Sequence, residues 1–357
     1  MTMTVNEIRL RRLSGQYLTE QTDLQTAIRG LCGFQAQFLS NALHAMRLRC
    51  DDYREGEIPA RLCKNWTVRG TVHVFSEDDL GLFVGTKSTA DGGRLYRSLD
   101  FRGYTFWNRR DVWSLTPDRQ RYFSEVILDA LQDGCKTREA LRQLCRVHGM
   151  DDGEESSMFD QWGGGVRELC ERGFMHYTVT EEKTFCLTPL YTPMTEEAAE
   201  LEMARRYFTS YGPATVHDCR YFFHTTAAMV RQWLETLPVQ SCVCEGSTYY
   251  WIENPRARVP CMPKCIFLAG FDPLMLSYEK KESLFLPLEY LRGIFNLAGI
   301  VMPAILVDGR VVGRWKYKNG RCEIALFEDT DVNRKIISDG ASQMWSDMKK
   351  LIWKTTE

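Results

Sequence analysis

The chain has 357 residues, room for two or three domains of ordinary size. With 44 % hydrophobic and 26 % charged residues it can bury a sizeable core, and wholesale disorder is excluded. Lys and Arg number 45 against 47 Asp and Glu, a net charge of −2, which excludes a protein that coats nucleic acid by charge alone but leaves room for a local basic channel.

No window reaches the ~18 consecutive apolar residues of a membrane span. The opening MTMTVNEIRLRRLSG lacks the apolar core of a secretory signal. The 13 cysteines are odd in number and scattered. They point to a reduced, cytoplasmic setting rather than a disulfide framework, with most acting as small buried apolar residues.

In chain order, the pattern is a loose repeat of helix, turn, two helices and two short strands, the order of a winged helix-turn-helix unit. In the first unit, Thr22 and Gln25 form a capping-box pattern. Leu24, Ala27, Ile28, Leu31 and Cys32 then follow helical spacing, and Gly33 closes the helix. Ser40 is a candidate cap for a helix carrying Leu43, Met46 and Leu48, and after Asn65 the pattern turns to β.

The second unit covers 119–195. Thr137 is a candidate cap, 165–172 is a helix ending at Gly173, and 174–187 reads as two strands forming a wing. The third unit covers 196–255. A helix over 196–211 stops at Gly212-Pro213, Thr215 caps the next, 229–237 is the third, and 241–252 supplies strands.

Residues 256–357 read as a small, mostly β domain. Strands are predicted over 266–276, 304–307, 311–317 and 322–327, with a C-terminal helix over 331–353. Asp308-Gly309 and Asn319-Gly320 are strong hairpin signals. The fold class is therefore α+β, with three tandem winged-helix units followed by a β domain.

Common catalytic signatures are missing: there is no G-x-x-x-x-G-K-[ST], no H-E-x-x-H and no G-x-S-x-G. Gly163-Gly164-Gly165 opens a helix but does not follow a strand of a βαβ unit, so close helix packing explains it better than an anion loop. His44, His148, His176, His217 and His224 show no ligand spacing. Cys242, Cys244, Cys261 and Cys265 are four thiols that could hold zinc, or equally buried apolar residues.

The segment Gly33-Phe34-Gln35-Ala36-Gln37-Phe38 stands apart. If it is extended, Phe34, Ala36 and Phe38 share one face while Gln35 and Gln37 project side by side from the other. A primary amide both donates and accepts, so the pair can hold a water or a base edge. The alternative is two exposed glutamines in a turn.

Two basic stretches bear on partners. Residues 94–110 carry Arg94, Arg97, Arg102, Arg109 and Arg110 among Tyr96, Phe101, Tyr104, Phe106 and Trp107. The hairpin around Asn319 carries Arg310, Arg314, Lys316, Lys318 and Arg321 with Trp315. Arginine on backbone phosphate and aromatics on bases is a common way to hold nucleic acid. A solvated patch over a structural aromatic is the alternative for each.

GFQAQ followed by WTVRGTVHVF resembles the signature of the AlkZ/YcaQ-like winged-helix DNA glycosylases. YGPATVHD, FLAGFDPLMLSY and ILVDGRVVGRWKY match further family stretches in order, so the resemblance runs from about 8 to 327. The usual Asp-Arg of the family is here Glu279-Lys280, which weakens any role for that loop.

The resemblance implies three tandem winged-helix units and a β-barrel-like domain around a double-stranded DNA channel. It also implies a monomer. The family's Gln-x-Gln element falls on Gln35 and Gln37, and its Thr-x-Arg element on Thr67 and Arg69. The implied reaction is excision of alkylated purines by a monofunctional glycosylase, including unhooking of interstrand crosslinks. An N7-alkylguanine is already cationic and leaves without protonation, so a strong general acid is dispensable. Positioning water under C1′ and stabilising an oxocarbenium-like sugar then fall to Gln35 and Gln37, with no cofactor. Arg69 would hold phosphate or the Gln pair. The alternatives are a non-catalytic winged-helix regulator and a zinc-dependent interaction module at Cys242 to Cys265.

Overall fold

The computed structural model describes residues 2–67, 70–88, 94–96, 114–161, 163–255 and 261–354. Helix α1 (Val5–Gly15) opens with a capping box between Thr4 and Glu7. Helix α2 (Leu24–Gly30) is capped by Asp23, whose side chain accepts from the Thr26 amide. The expected cap, Thr22, is instead engaged in a bridge to Cys50. Gly33 follows at φ +90, where a Cβ would lie 2.8 Å from the Val74 carbonyl oxygen. Only glycine tolerates both.

Strand β1 (Phe34–Gln35) leads into α3 (Leu39–Arg49). The residue before α3 is Phe38, with no side-chain cap, so Ser40 lies inside the helix rather than capping it. β2 (Leu62–Trp66) and β3 (Val72–Ser76) form a hairpin whose turn falls at Thr67 and Gly70, so the first strand starts before Asn65 rather than after it. α4 (Leu80–Phe83), β4 (Val84–Ser88) and β5 (Arg94–Tyr96) complete this part.

One order then occurs twice. Helix α5 (Pro117–Ala130), strand β6 (Lys136–Thr137), helices α6 (Arg138–Val147), α7 (Asp152–Met158) and α8 (Gly164–Glu171), and strands β7 (Met175–Tyr177) and β8 (Thr184–Leu187) make the first copy. In the second, which has one helix fewer, α9 (Glu196–Ser210), the bridge Ala214–Tyr250, α10 (Val216–Phe223), α11 (Ala227–Thr236), β9 (Gln240–Cys244) and β10 (Ser247–Trp251) follow the same plan. Thr137 and Thr215 cap α6 and α10 as the sequence predicts.

The C-terminal region holds β11 (Cys265–Phe267), α12 (Pro273–Leu276), α13 (Leu291–Ile294), β12 (Ala304–Val307), β13 (Arg310–Lys318), β14 (Arg321–Leu326), α14 (Asp331–Met344) and β15 (Lys350–Lys354). Both hairpin signals form: Asp308-Gly309 and Asn319-Gly320 all have positive φ, the backbone a tight two-residue turn requires. Two expectations change. The stretch 266–276 is not one strand, because Asp272 caps α12 and Pro273 opens it. The C-terminal helix stops at Met344, and the apolar run Leu351-Ile352-Trp353 returns as β15, parallel to β14.

The five strands run in the order β11-β12-β13-β14-β15, an open sheet with β11 and β15 at its edges. A barrel-like closure is absent from the described residues. One face is covered by α14, whose Ile337 and Ala341 pack with Phe267, Ile305 and Ile324. The other large sheet, ordered β1-β3-β2-β7-β8-β6, joins the hairpin near Gln35 to the hairpin of the α5–α8 region.

The main core draws on α1, α2, α3, α9, α10, α11 and the 266–311 region. Buried Arg–Asp pairs tie these distant segments: Arg12 to Asp218 at 2.9 Å, Arg49 to Asp272 at 2.7 Å and Arg206 to Asp79 at 2.7 Å. Nine of the eleven free thiols are buried, as expected, but Cys135 and Cys186 are joined in a disulfide at the β6–β8 edge. The pairing follows from strand register, which sequence spacing does not display. No helix among the described residues is long and apolar enough to cross a membrane.

Candidate functional site

The site begins with the register of three strands. Gln35 on β1 pairs with His73 on β3, and His73 pairs in turn with Asn65 on β2. Opposed residues in an antiparallel ladder share a face. Gln35, His73 and Asn65 therefore form a polar row across the sheet. Alternation adds Thr71, two residues before His73, and Thr67, two after Asn65. The pairing continues to the tip, where the Thr67 amide donates to the Thr71 carbonyl at 3.0 Å.

Within this row some groups are satisfied and others are not. Asn65 is wholly buried and structural: its Nδ2 donates to the Cys170 carbonyl in α8 and its Oδ1 accepts from the Trp66 amide. His73 Nδ1 lies 3.1 Å from the Thr71 carbonyl, so that nitrogen carries the proton in the bond. Thr67, 0 % exposed, has a hydroxyl with no hydrogen-bond partner among the described residues, and the Thr71 hydroxyl shares that condition. Gln35 is 7 % exposed, and its amide makes no hydrogen bond within the described residues. Cys63, on the same face, is no nucleophile: burial pushes its thiol up to about 12.

The two glutamines do not stand side by side on an extended strand. The ladder ends with the Ala36 amide donating to the Val72 carbonyl, and the chain then bends at 37–38 to enter α3. Phe34 and Ala36 are buried as the apolar base, Gln35 is buried with them, and Gln37 and Phe38 are exposed. His73 was absent from the sequence-level candidates. The alternation in Val72-His73-Val74 places it on a strand, and only the register reveals that it faces Gln35.

The basic hairpin is present. On β13, Arg310, Lys316 and Lys318 are exposed, and Arg314 is half-buried. Arg310 lies 3.8 Å from Glu328, and Lys316 is opposite Glu323. Trp315 and Tyr317 point to the other face. The Trp315 indole donates to the Leu268 carbonyl, and Tyr317 stacks on Trp345 with centroids 4.7 Å apart. Trp315 is thus a structural aromatic rather than one offered to bases. It also meets His44 of α3 at 4.9 Å, so the hairpin and the helix after Gln37 pack directly.

Arg69, Arg102 and Arg109 lie outside the described residues. Cys242 and Cys244 pack with Met3, Ile8, Tyr249 and Trp251 in an apolar cluster, whereas Cys265 lies against Gly340 beside α14. Among the described residues no three His, Cys, Asp or Glu side chains converge to hold a metal ion.

Comparison with known proteins gives a consistent picture. Residues 28–330 match the family model described as DNA glycosylase AlkZ-like. The chain is 24 % identical over 345 residues to an interstrand DNA cross-link repair glycosylase of Streptomyces sahachiroi, covering 90 % of each chain. Its fold is similar to the solved Streptomyces sahachiroi DNA glycosylase AlkZ, with a TM-score of 0.78, 21 % identity and full coverage of both chains.

Proposed function

The chain belongs to the AlkZ-like DNA glycosylase family, and from that premise we propose that it excises alkylated purines of the cationic N7-alkylguanine type from double-stranded DNA at the Gln35 face. The observation that carries the reading is the placement of Gln35, 7 % exposed and opposite His73, on the same face as the buried, unpartnered Thr67 and Thr71 hydroxyls. A buried polar group left unmade costs on the order of 1–3 kcal/mol. Several on one face suit a site whose partners are water and the sugar of a bound nucleotide.

In the reaction, the C1′–N9 bond breaks and its electron pair neutralises the departing cationic base. Water forms the new bond to C1′ and releases one proton. Gln35 orients that water by donating and accepting, and its carbonyl dipole, with that of Gln37, opposes the charge on the sugar. Thr67 supports the turn, and Arg69 holds a phosphate or the Gln pair. Arg310, Arg314, Lys316, Lys318, Arg102 and Arg109 supply further backbone contacts. No cofactor is needed.

The recurrence of three or four helices followed by a two-stranded hairpin supports reading residues 1–118, 119–195 and 196–255 as winged-helix units. The 256–357 region then contributes the basic hairpin, and the protein works as a monomer. Crosslinked purines are substrates too: tethered to the opposite strand, such a base cannot be extruded into a closed pocket, and being cationic before cleavage it leaves as a neutral base without needing one.

Duplex carrying N7-methylguanine, incubated with the protein and then treated with alkali, reports abasic sites as strand breaks. The wild-type chain should cleave above control. Gln35→Ala and Gln37→Ala should each slow excision by about 10²-fold while duplex binding persists. Full rates in both variants would overturn the assignment of the pair, and duplex binding without product would indicate a non-catalytic binder.

A further inference from the structure

Phe38 occupies a position that local energetics disfavour. It is the residue immediately before α3, where Ser, Thr, Asp or Asn would supply a cap, and it provides no capping bond. Its ring is also 47 % exposed, directly after Gln37. Beneath it lies Phe271, with ring centroids 6.0 Å apart and planes inclined by 30°.

Phe271 is itself held in the left-handed region at φ +56, which a bulky side chain rarely adopts. The surrounding loop fixes it there. A Cβ on Gly270 would lie 2.9 Å from Asn41 Nδ2 of α3, the Phe271 amide donates to the Val301 carbonyl, and Asp272 pairs with Arg49 at the far end of α3. Two adjacent aromatic residues thus sit in disfavoured positions, and the loop runs close against α3 at Gly270 and is tied to it by the Asp272–Arg49 pair. The product is one aromatic face, braced from below and open above, beside the exposed Gln37. Strain that persists under such anchoring is characteristic of functional sites.

Resting on the glycosylase reading above, we infer that Phe38 is a specificity-determining residue whose ring stacks on the alkylated purine. The chemistry favours this occupant. An aromatic face attracts a delocalised cation more than its neutral counterpart, so it discriminates N7-alkylguanine from guanine without a hydrogen bond or an acid.

The test compares Phe38→Leu, which keeps an apolar side chain but removes the ring, with Phe38→Trp, which keeps an aromatic face. Single-turnover excision of N7-methylguanine and the ratio of affinities for methylated and undamaged duplex are measured for each. Phe38→Leu should slow excision by about tenfold and lower the affinity ratio, while Phe38→Trp stays near wild type in both. Phe38→Leu at the wild-type rate and ratio, or both variants impaired equally, would overturn the inference alone, because the wild-type chain would still excise. No abasic product from the wild-type chain would overturn the glycosylase reading, and this inference with it.

Discussion

Gln35, 7 % exposed on β1, differs from the polar residues around it in that its amide holds no neighbouring element of the fold. Asn65, two strands away, is equally deep but has both ends of its amide engaged, which marks it as structural. The difference marks Asn65 as a residue that stabilises the fold and leaves the Gln35 amide available for the role proposed above. His176 shows how the same reasoning reaches stability. It is 8 % exposed on β7, its Nδ1 has no partner among the described residues, and burial pushes its pKa down from 6.5 to about 4. The folded state therefore holds a neutral imidazole that the unfolded chain protonates below pH 6.5. Stability is complete above that pH, is lost progressively as pH falls from 6.5 towards 4, and levels off below. The expected loss is roughly 3 kcal/mol. Urea unfolding at pH 7 and pH 4.5 checks this, and His176→Gln should unfold with a smaller pH difference. An identical difference in that variant would refute the assignment.

Among the elements, the β13–β14 hairpin has two unlike faces. Trp315 and Tyr317 lock one face against Trp345, which leaves Arg314, Lys316 and Lys318 to the other. If these side chains meet phosphates, removing them weakens binding to all duplexes alike and reduces its salt dependence. For Lys316→Gln with Lys318→Gln, the slope of log affinity against log salt should shrink by about 0.9 for each lost contact. An unchanged slope would remove the hairpin from the DNA interface. Much of this element was legible from residue types, since Asp308-Gly309 and Asn319-Gly320 admit the positive φ that the turns demand. Its aromatic residue was less so. Trp315 among arginines reads as a base-stacking residue until the packing against His44 and Trp345 is known. Likewise the run 345–353 follows a helical segment, and its strand character becomes decisive only once β14 offers a free edge to pair with.

Across the whole molecule, three buried Arg–Asp pairs join segments more than a hundred residues apart. Arg49 and Asp272 are both fully buried, with bonds of 3.0 and 2.7 Å between the guanidinium and the carboxylate. Replacing one member strands an uncompensated charge. Arg49→Met should destabilise the protein by about 3–5 kcal/mol in urea unfolding, and Asp272→Leu in the same chain should restore much of that loss. If the single variant were as stable as wild type, the pair would not be a structural tie. The same pair anchors the loop under Phe38, so stability and site geometry share one device. The near-zero net charge also becomes intelligible at this scale. Many of the arginines are consumed in pairing with carboxylates, and the remaining cations gather on particular elements such as β13.

What the sequence by itself determined was local and periodic. Helix spacing, caps at Thr137 and Thr215, the two hairpin turns and the α+β class follow from side-chain size, β-branching and the φ that Gly, Asn and Asp tolerate. The family followed from motifs kept in order along the chain. Only the tertiary structure decided what depends on register and burial. It set Gln35 opposite His73, separated the buried Gln35 from the exposed Gln37, joined Cys135 to Cys186 and held Phe271 beneath Phe38. Each of these brings together residues whose separation along the chain carries no information about their distance, because strand pairing and core packing are settled by the whole fold rather than by the neighbours of any one residue.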